Sequence, residues 1–144
     1  MLRVYLKIKP HKANMKKLNF YEGELKMYTV KLTEAELLNL PKRDVRVFIG
    51  TEKIATEVKS DHFTMGLTVV EANTEMIPHT HATEEEIVFV IEGHGEVVIG
   101  GVAEKLEPFT AAKFPIGVEH QVKNTSDEAL KFVFMFNPVF SFGR

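Results

Sequence analysis

Pro78-His79-Thr80-His81-Ala82-Thr83-Glu84-Glu85-Glu86 carries more chemical information than any other stretch of this chain, and it runs straight into Ile87-Val88-Phe89-Val90-Ile91-Glu92-Gly93. In an extended backbone, side chains two apart point to the same side. His79 and His81 therefore aim two imidazoles at one place, a geometry suited to adjacent positions around a metal ion. Alone, His-x-His is a weak signal in a chain with six histidines. Here three carboxylates follow at once, ahead of a strand-like apolar run. A second segment, Pro115-Ile116-Gly117-Val118-Glu119-His120-Gln121-Val122-Lys123-Asn124, leads from a turn into a strand bearing a third histidine. Imidazoles and a carboxylate brought from separate strands into a barrel interior would bind a borderline divalent ion such as Mn, Fe, Co, Ni, Cu or Zn.

The rest of the chain reads as a β-protein. Period-two alternation and β-branched or aromatic residues gather in short runs between turn residues. Strands are expected at 4–8, 45–49, 63–70, 87–91, 96–99, 102–106, 111–114 and 130–136, with Gly100-Gly101 as a tight hairpin turn and 124–128 as another turn. Many short strands favour a sandwich or barrel. One short helix is expected after Thr33-Glu34-Ala35-Glu36, where Thr33 would cap and Glu36 reach back. Leu37, Leu38 and Leu40 would form its apolar side, and Pro41 would end it.

Length and composition bound the answer. The 144 residues suit one domain, with an extension over about 1–42, a barrel core over about 43–137 and a tail over 138–144. Eighteen basic against twenty acidic residues argue against a dedicated nucleic-acid binder. The absence of cysteine excludes disulfides, zinc–thiolate sites, iron–sulfur clusters and thiol nucleophiles. No apolar run approaches the roughly 18 residues of a membrane span, so no membrane partner is expected and the location expected is cytoplasmic. Residues 87–91 and 130–136 are apolar on both parities, more than one barrel interior can hide. The expectation is a homodimer packed through a sheet face.

At the two histidine segments the chain resembles the cupin superfamily. The first cupin motif, His-x-His, three or four residues, Glu, six residues, Gly, is matched by His79, His81, Glu86 and Gly93. The second, Pro-x-Gly, two residues, His, three residues, Asn, is matched by Pro115, Gly117, His120 and Asn124. The glycines that usually open the motifs are replaced by Asn73 and Phe109, both at turn positions. The resemblance implies an all-β jelly-roll barrel (a double-stranded β-helix) with one divalent transition metal held by His79, His81, Glu86 and His120. Glu86 fits the spacing to Gly93 and would place Val88 and Val90 inward. With Glu85 as ligand instead, Ile87, Phe89 and Ile91 would face inward. Three neutral imidazoles and one carboxylate would leave two positions of a six-coordinate ion for a small organic substrate, water or dioxygen. The activity implied is dioxygenase, isomerase or lyase-type chemistry, or else a non-catalytic ligand-binding or sensory role. His94, in a Gly-His-Gly turn, and His11 and His62, which lack partners by spacing, read as surface residues. Phe63, Met65, Phe114, Phe132, Phe134 and Met135 are candidates for pocket walls, although such residues are more often plain core.

Overall fold

The computed structural model describes residues 29–51, 56, 58–140 and 142. The strand expected at 4–8 and His11 lie outside them. The described residues form strands β1 (Leu37–Leu40), β2 (Arg43–Gly50), β3 (Val58–Lys59), β4 (Thr64–Val70), β5 (Thr74–Glu75), β6 (Glu85–Glu92), β7 (Gly95–Ile99), β8 (Val102–Leu106), β9 (Ala111–Phe114), β10 (His120–Asn124) and β11 (Leu130–Asn137). Seven make one sheet in the order β1-β2-β4-β11-β6-β9, with β3 pairing β2 in parallel. Four make the other, ordered β5-β10-β7-β8. All pairings but β2–β3 are antiparallel. One apolar core joins the sheets, with Val45, Val88, Val90, Phe132 and Phe134 from the larger and Val97, Leu106 and Val122 from the smaller. No helix among the described residues is long and apolar enough to cross a membrane.

The short helix expected at 33–40 is absent, and the sequence explains how it misleads. A turn does form, two residues earlier: the Glu34 and Ala35 amides donate to the Lys31 carbonyl, and the Lys31 amide donates to the Glu34 carboxylate at 3.2 Å. Three leucines in four residues satisfy either period. As β1 they alternate, Leu38 and Leu40 packing on the core while Leu37 and Asn39 face out. A helix of two turns gains little on its own. A strand paired along its length with β2 gains four cross-strand positions and the core contact. β1 thus joins the sheet although it lies within the stretch expected to be an extension.

β6 settles the parity question. Val88 and Val90 are fully buried, whereas Ile87, Phe89 and Ile91 are each about two-fifths exposed on the outer face, at 37%, 41% and 42%. Phe132, Phe134 and Phe136 of β11 point inward beside them, and Val133 and Met135 point outward opposite Phe89 and Ile87. The Gly100-Gly101 hairpin forms as expected: both residues have positive φ, and Ile99 pairs with Val102.

Asn73 and Phe109, where the motifs usually open with glycine, both have the positive φ that glycine adopts freely, 52° and 69°. Asparagine tolerates that region; a phenylalanine there is strained by about 1–2 kcal/mol. Gly93 is constrained twice over. Its φ is 85°, and a Cβ there would lie 2.5 Å from the Ala129 carbonyl oxygen and 2.8 Å from the Leu130 Cα, both backbone atoms. Gly93→Ala should cost about 2–4 kcal/mol by urea denaturation, since strain and clash add. Phe109→Gly, in contrast, should be neutral or stabilising; an equal loss from both would show that the backbone at 109 is not strained.

Candidate metal centre

The centre starts from a backbone pairing. Beyond the edge where β5 pairs with β10, His79 and His120 face one another in an isolated antiparallel bridge. Each amide donates to the other's carbonyl, at 3.0 and 2.9 Å. Directly opposed residues of antiparallel strands share a face, and the two rings lie 4.5 Å apart. His81 follows two positions on, its carbonyl accepting from the Gly117 amide at 2.8 Å, which ties it to the turn that precedes β10. Its ring lies 5.1 Å from that of His79 and 5.2 Å from that of His120.

The carboxylate comes from the opposite sheet. Glu86 stands on the inward side of β6, paired with Phe114 of β9 and Phe136 of β11. It is 7% exposed and lies among the imidazoles, with Oε2 3.1 Å from His81 Nε2 and 3.6 Å from His120 Nε2. One donor atom from each of His79, His81, Glu86 and His120 falls within 4.8 Å of all the others. Glu85, at the alternative parity, instead pairs with Lys113 at 3.5 Å.

The hydrogen bonds fix which nitrogen two of the rings present, while the third, His81, meets the Glu86 carboxylate through Nε2 at 3.1 Å. His79 Nδ1 lies 2.9 Å from the Ile77 carbonyl and His120 Nδ1 lies 3.0 Å from the Val118 carbonyl. A carbonyl can only accept, so each Nδ1 carries the proton. In the neutral ring Nε2 is then a bare lone pair. His120 Nε2 is buried with no hydrogen-bond partner. An orphaned buried acceptor is costly in a native fold, and a cation would satisfy it. Carbonyl partners that hold the far nitrogen of an imidazole are a common support for metal ligation. The ring of His120 is further clamped by Phe114, stacked at 4.3 Å and 16°, and that of His81 by edge contacts to Phe136 and Phe140. The donor set fits a divalent transition ion.

Titration follows the same geometry. Burial would push the Glu86 carboxyl upward, but the protons that His120 and His81 can carry on the ring nitrogens facing it outweigh that and hold it below the usual carboxylate range. Burial lowers the pKa of His79; the Ile77 carbonyl opposes this, and the positive charge that His120 and His81 can carry adds to the lowering.

A cavity of about 100 Å³ opens beside the cluster. Phe132 and Phe134 line it, as the sequence allowed. Phe114 serves as the stacking partner of His120, while Met65 and Met135 face each other across β4 and β11 with the outer parity. His94 and His62 are exposed and stand apart from the cluster. Arg43, Met76, Phe136, Phe140 and Phe142 also line the cavity. Sequence reading missed Arg43, although its parity with Val45 and Val47 was available as a signal. Phe140 is positioned by Thr64, whose hydroxyl donates to the Phe140 carbonyl and accepts from its amide, both at 2.9 Å. Asn124 acts as expected at its turn: its side-chain amide nitrogen approaches the Val70, Glu71 and Glu128 carbonyls, and its oxygen accepts from Ser126.

Both shifts set the pH response of the metal-free protein. His79 and Glu86 bind protons more weakly folded than unfolded, so their stabilisation is present at neutral pH and lost on acidification. The loss begins below the ordinary histidine value of 6.5 and deepens below the ordinary carboxylate value of 4.5. Urea midpoints of chelator-treated protein should fall from pH 7.5 to 5.5 and again to 4; a midpoint that rises on acidification would contradict this charge arrangement.

Comparison with known proteins places this architecture. Residues 66–136 match the family described as cupin domain. A 75-residue stretch is 32% identical to the polyketide synthase CurC of Streptomyces cyaneus, covering 52% of this chain and 49% of that protein, so the chain spans about half the length of the curated relative. The ectoine synthase of P. lautus superposes with a TM-score of 0.67 at 22% identity, over 80% of each chain. The cupin domain of Schizosaccharomyces pombe Cnp3 superposes with a TM-score of 0.63 at 15% identity, over 75% of this chain and 72% of that one. The two-sheet fold is the cupin jelly roll, and with both histidine segments inside the matched region the chain belongs to the cupin superfamily.

Proposed function

We propose that the chain is a metal-dependent cupin enzyme acting on a small organic substrate, with one divalent transition ion (Mn, Fe, Co, Ni, Cu or Zn) held by His79, His81, Glu86 and His120. The observation that carries this reading is the buried, unpartnered Nε2 of His120, facing a buried carboxylate and a second imidazole whose proton is likewise drawn to the far nitrogen. When bound, such an ion supplies Lewis-acid polarisation of a substrate oxygen or, for a redox-active metal, access to dioxygen. The chain supplies the rest. Three neutral imidazoles and Glu86 leave a divalent ion with net positive charge, and the phenylalanine walls exclude water from one side of the cavity.

Among the cavity-lining residues the titratable groups are the four-residue cluster's own His79, His81 and Glu86, together with Arg43. Glu85 pairs with Lys113, and Glu92 with Lys131 at 2.8 Å. A lining without an independent acid or base favours chemistry centred on the metal, as in a dioxygenase or a metal-assisted isomerase or lyase. The same scarcity supports a second reading, a ligand-binding or sensory module whose ion orders the pocket. Turnover separates them: a binding module would hold its ligand unchanged when metal-loaded.

Metal content of untagged protein, measured by mass spectrometry, tests the shared premise. One ion per chain is expected, after reloading if needed. His120→Ala should weaken affinity at least about 100-fold, beyond the usual cost of losing a supporting group, while His94→Ala should change nothing. Equal losses from both would overturn the ligand assignment.

The setting we infer is cytoplasmic and the assembly a homodimer. The support is an apolar band on the outer face of the larger sheet, where Phe89 pairs with Val133 and Ile87 with Met135, and where Ile87, Phe89 and Ile91 are part-exposed. Light scattering at micromolar concentration should return twice the chain mass, and Phe89→Lys should return the single mass. A wild-type monomer would remove the dimer.

A further inference from the structure

We infer that Arg43 is the anion-recognition residue of the cavity, so that the ligand taken there is a small carboxylate, with one end on the Arg43 guanidinium and the other at the histidine–glutamate centre. The inference rests on the metal reading for the second contact and for the net charge of the cavity.

Arg43 opens β2 on the same parity as Val45 and Val47, both buried in the core. Its side chain therefore turns inward, while Asp44 is exposed on the other side. It lines the same cavity as His79, His81 and Glu86. Among the described residues the Arg43 guanidinium has no hydrogen bond or ion pair. Arg46 offers the contrast: on the outward parity of the same strand, it donates to the Ala35 carbonyl. An arginine lining a cavity without a partner among the described residues is five donors prepared for an acceptor. Burial already disfavours its charge, and the attraction of Glu86 offsets that only in part.

Charge counting gives the sign of the ligand. Glu86 contributes one negative charge, Arg43 one positive and a divalent ion two, so the cavity carries two net positive charges against three neutral imidazoles. In a poorly solvated pocket that excess is relieved by an anion. Shape narrows the class. The cavity's 100 Å³ is well above the roughly 10–15 Å³ that one water requires, room for a short carboxylate or for the carboxylate end of a longer molecule. The flat guanidinium fork matches a carboxylate with two parallel hydrogen bonds. The aromatic walls suit a carbon body between the two polar ends.

The experiment compares wild type, Arg43→Gln and Arg43→Lys. Metal content is measured on each, then binding by calorimetry of pyruvate, of its uncharged amide pyruvamide, and of inorganic phosphate. The variants should hold metal as wild type does, since Arg43 is not among the proposed ligands. Arg43→Gln should weaken pyruvate binding roughly 10- to 100-fold, the usual worth of a charge-assisted contact. Arg43→Lys should recover part of it, and pyruvamide binding should not change. Pyruvate affinity that is equal in wild type and Arg43→Gln, or undetectable in metal-loaded wild type, would overturn the assignment. Phosphate bound more tightly than pyruvate would overturn the carboxylate class. If wild type takes up no metal, the metal reading fails on its own, and the Arg43 contact is still judged by whether pyruvate binding to that protein falls in Arg43→Gln.

Discussion

A carboxylate almost removed from water and set among three imidazoles is the constraint on which this structure turns. Glu86 alone would resist ionisation at 7% exposure. It is held ionised by the protons that His120 and His81 can turn toward it; His120 is delivered by the smaller sheet, and His81 by the loop tied to the turn before that strand. The reciprocal bonds between His79 and His120 fix two rings on one face. The strand register that places Glu86 beside Phe114 and Phe136 fixes the acid on the facing sheet. Folding and site assembly are therefore one event: neither sheet holds the complete donor set.

The same logic accounts for the aromatic content. Phe114 stacks on His120, and Phe136 and Phe140 close around His81. These rings do two things at once. They contribute apolar burial to the core, and they restrict the imidazoles: Phe114 holds the His120 ring where its far nitrogen reaches the Val118 carbonyl, and Phe136 and Phe140 hold the His81 ring where it meets Glu86. A polar cluster inside an apolar shell is stable only when its members are satisfied. The one buried side-chain nitrogen among the described residues that lacks a protein partner sits at the point where a cation would complete the set.

Much of this was legible in the residues. Period-two spacing put His79 and His81 together, and the distance from Glu86 to Gly93 picked the parity that buries Val88 and Val90. Gly93 was legible because its position is both left-handed and crowded. The helix misreading at 33–40 has a physical origin: a capping pattern and a leucine cluster are local signals, whereas the pairing of β1 with β2 is decided by a neighbour in the sheet. Arg43 escaped notice because a charged residue at a strand start ordinarily faces water, and only the register of β2 turns it inward. Asn73 and Phe109 show the reverse case, in which residues that do not favour positive φ as glycine does nevertheless adopt it.

The wall formed by Phe140 and Phe142 belongs to neither sheet. It is clipped to the barrel through the hydroxyl of Thr64 and follows the last strand. Change in that short segment can redraw the contour of the chamber while every strand pairing is left intact. Ligand preference is thus partly uncoupled from the scaffold, and a lineage can explore new chemistry here at little risk to the architecture that holds the donors.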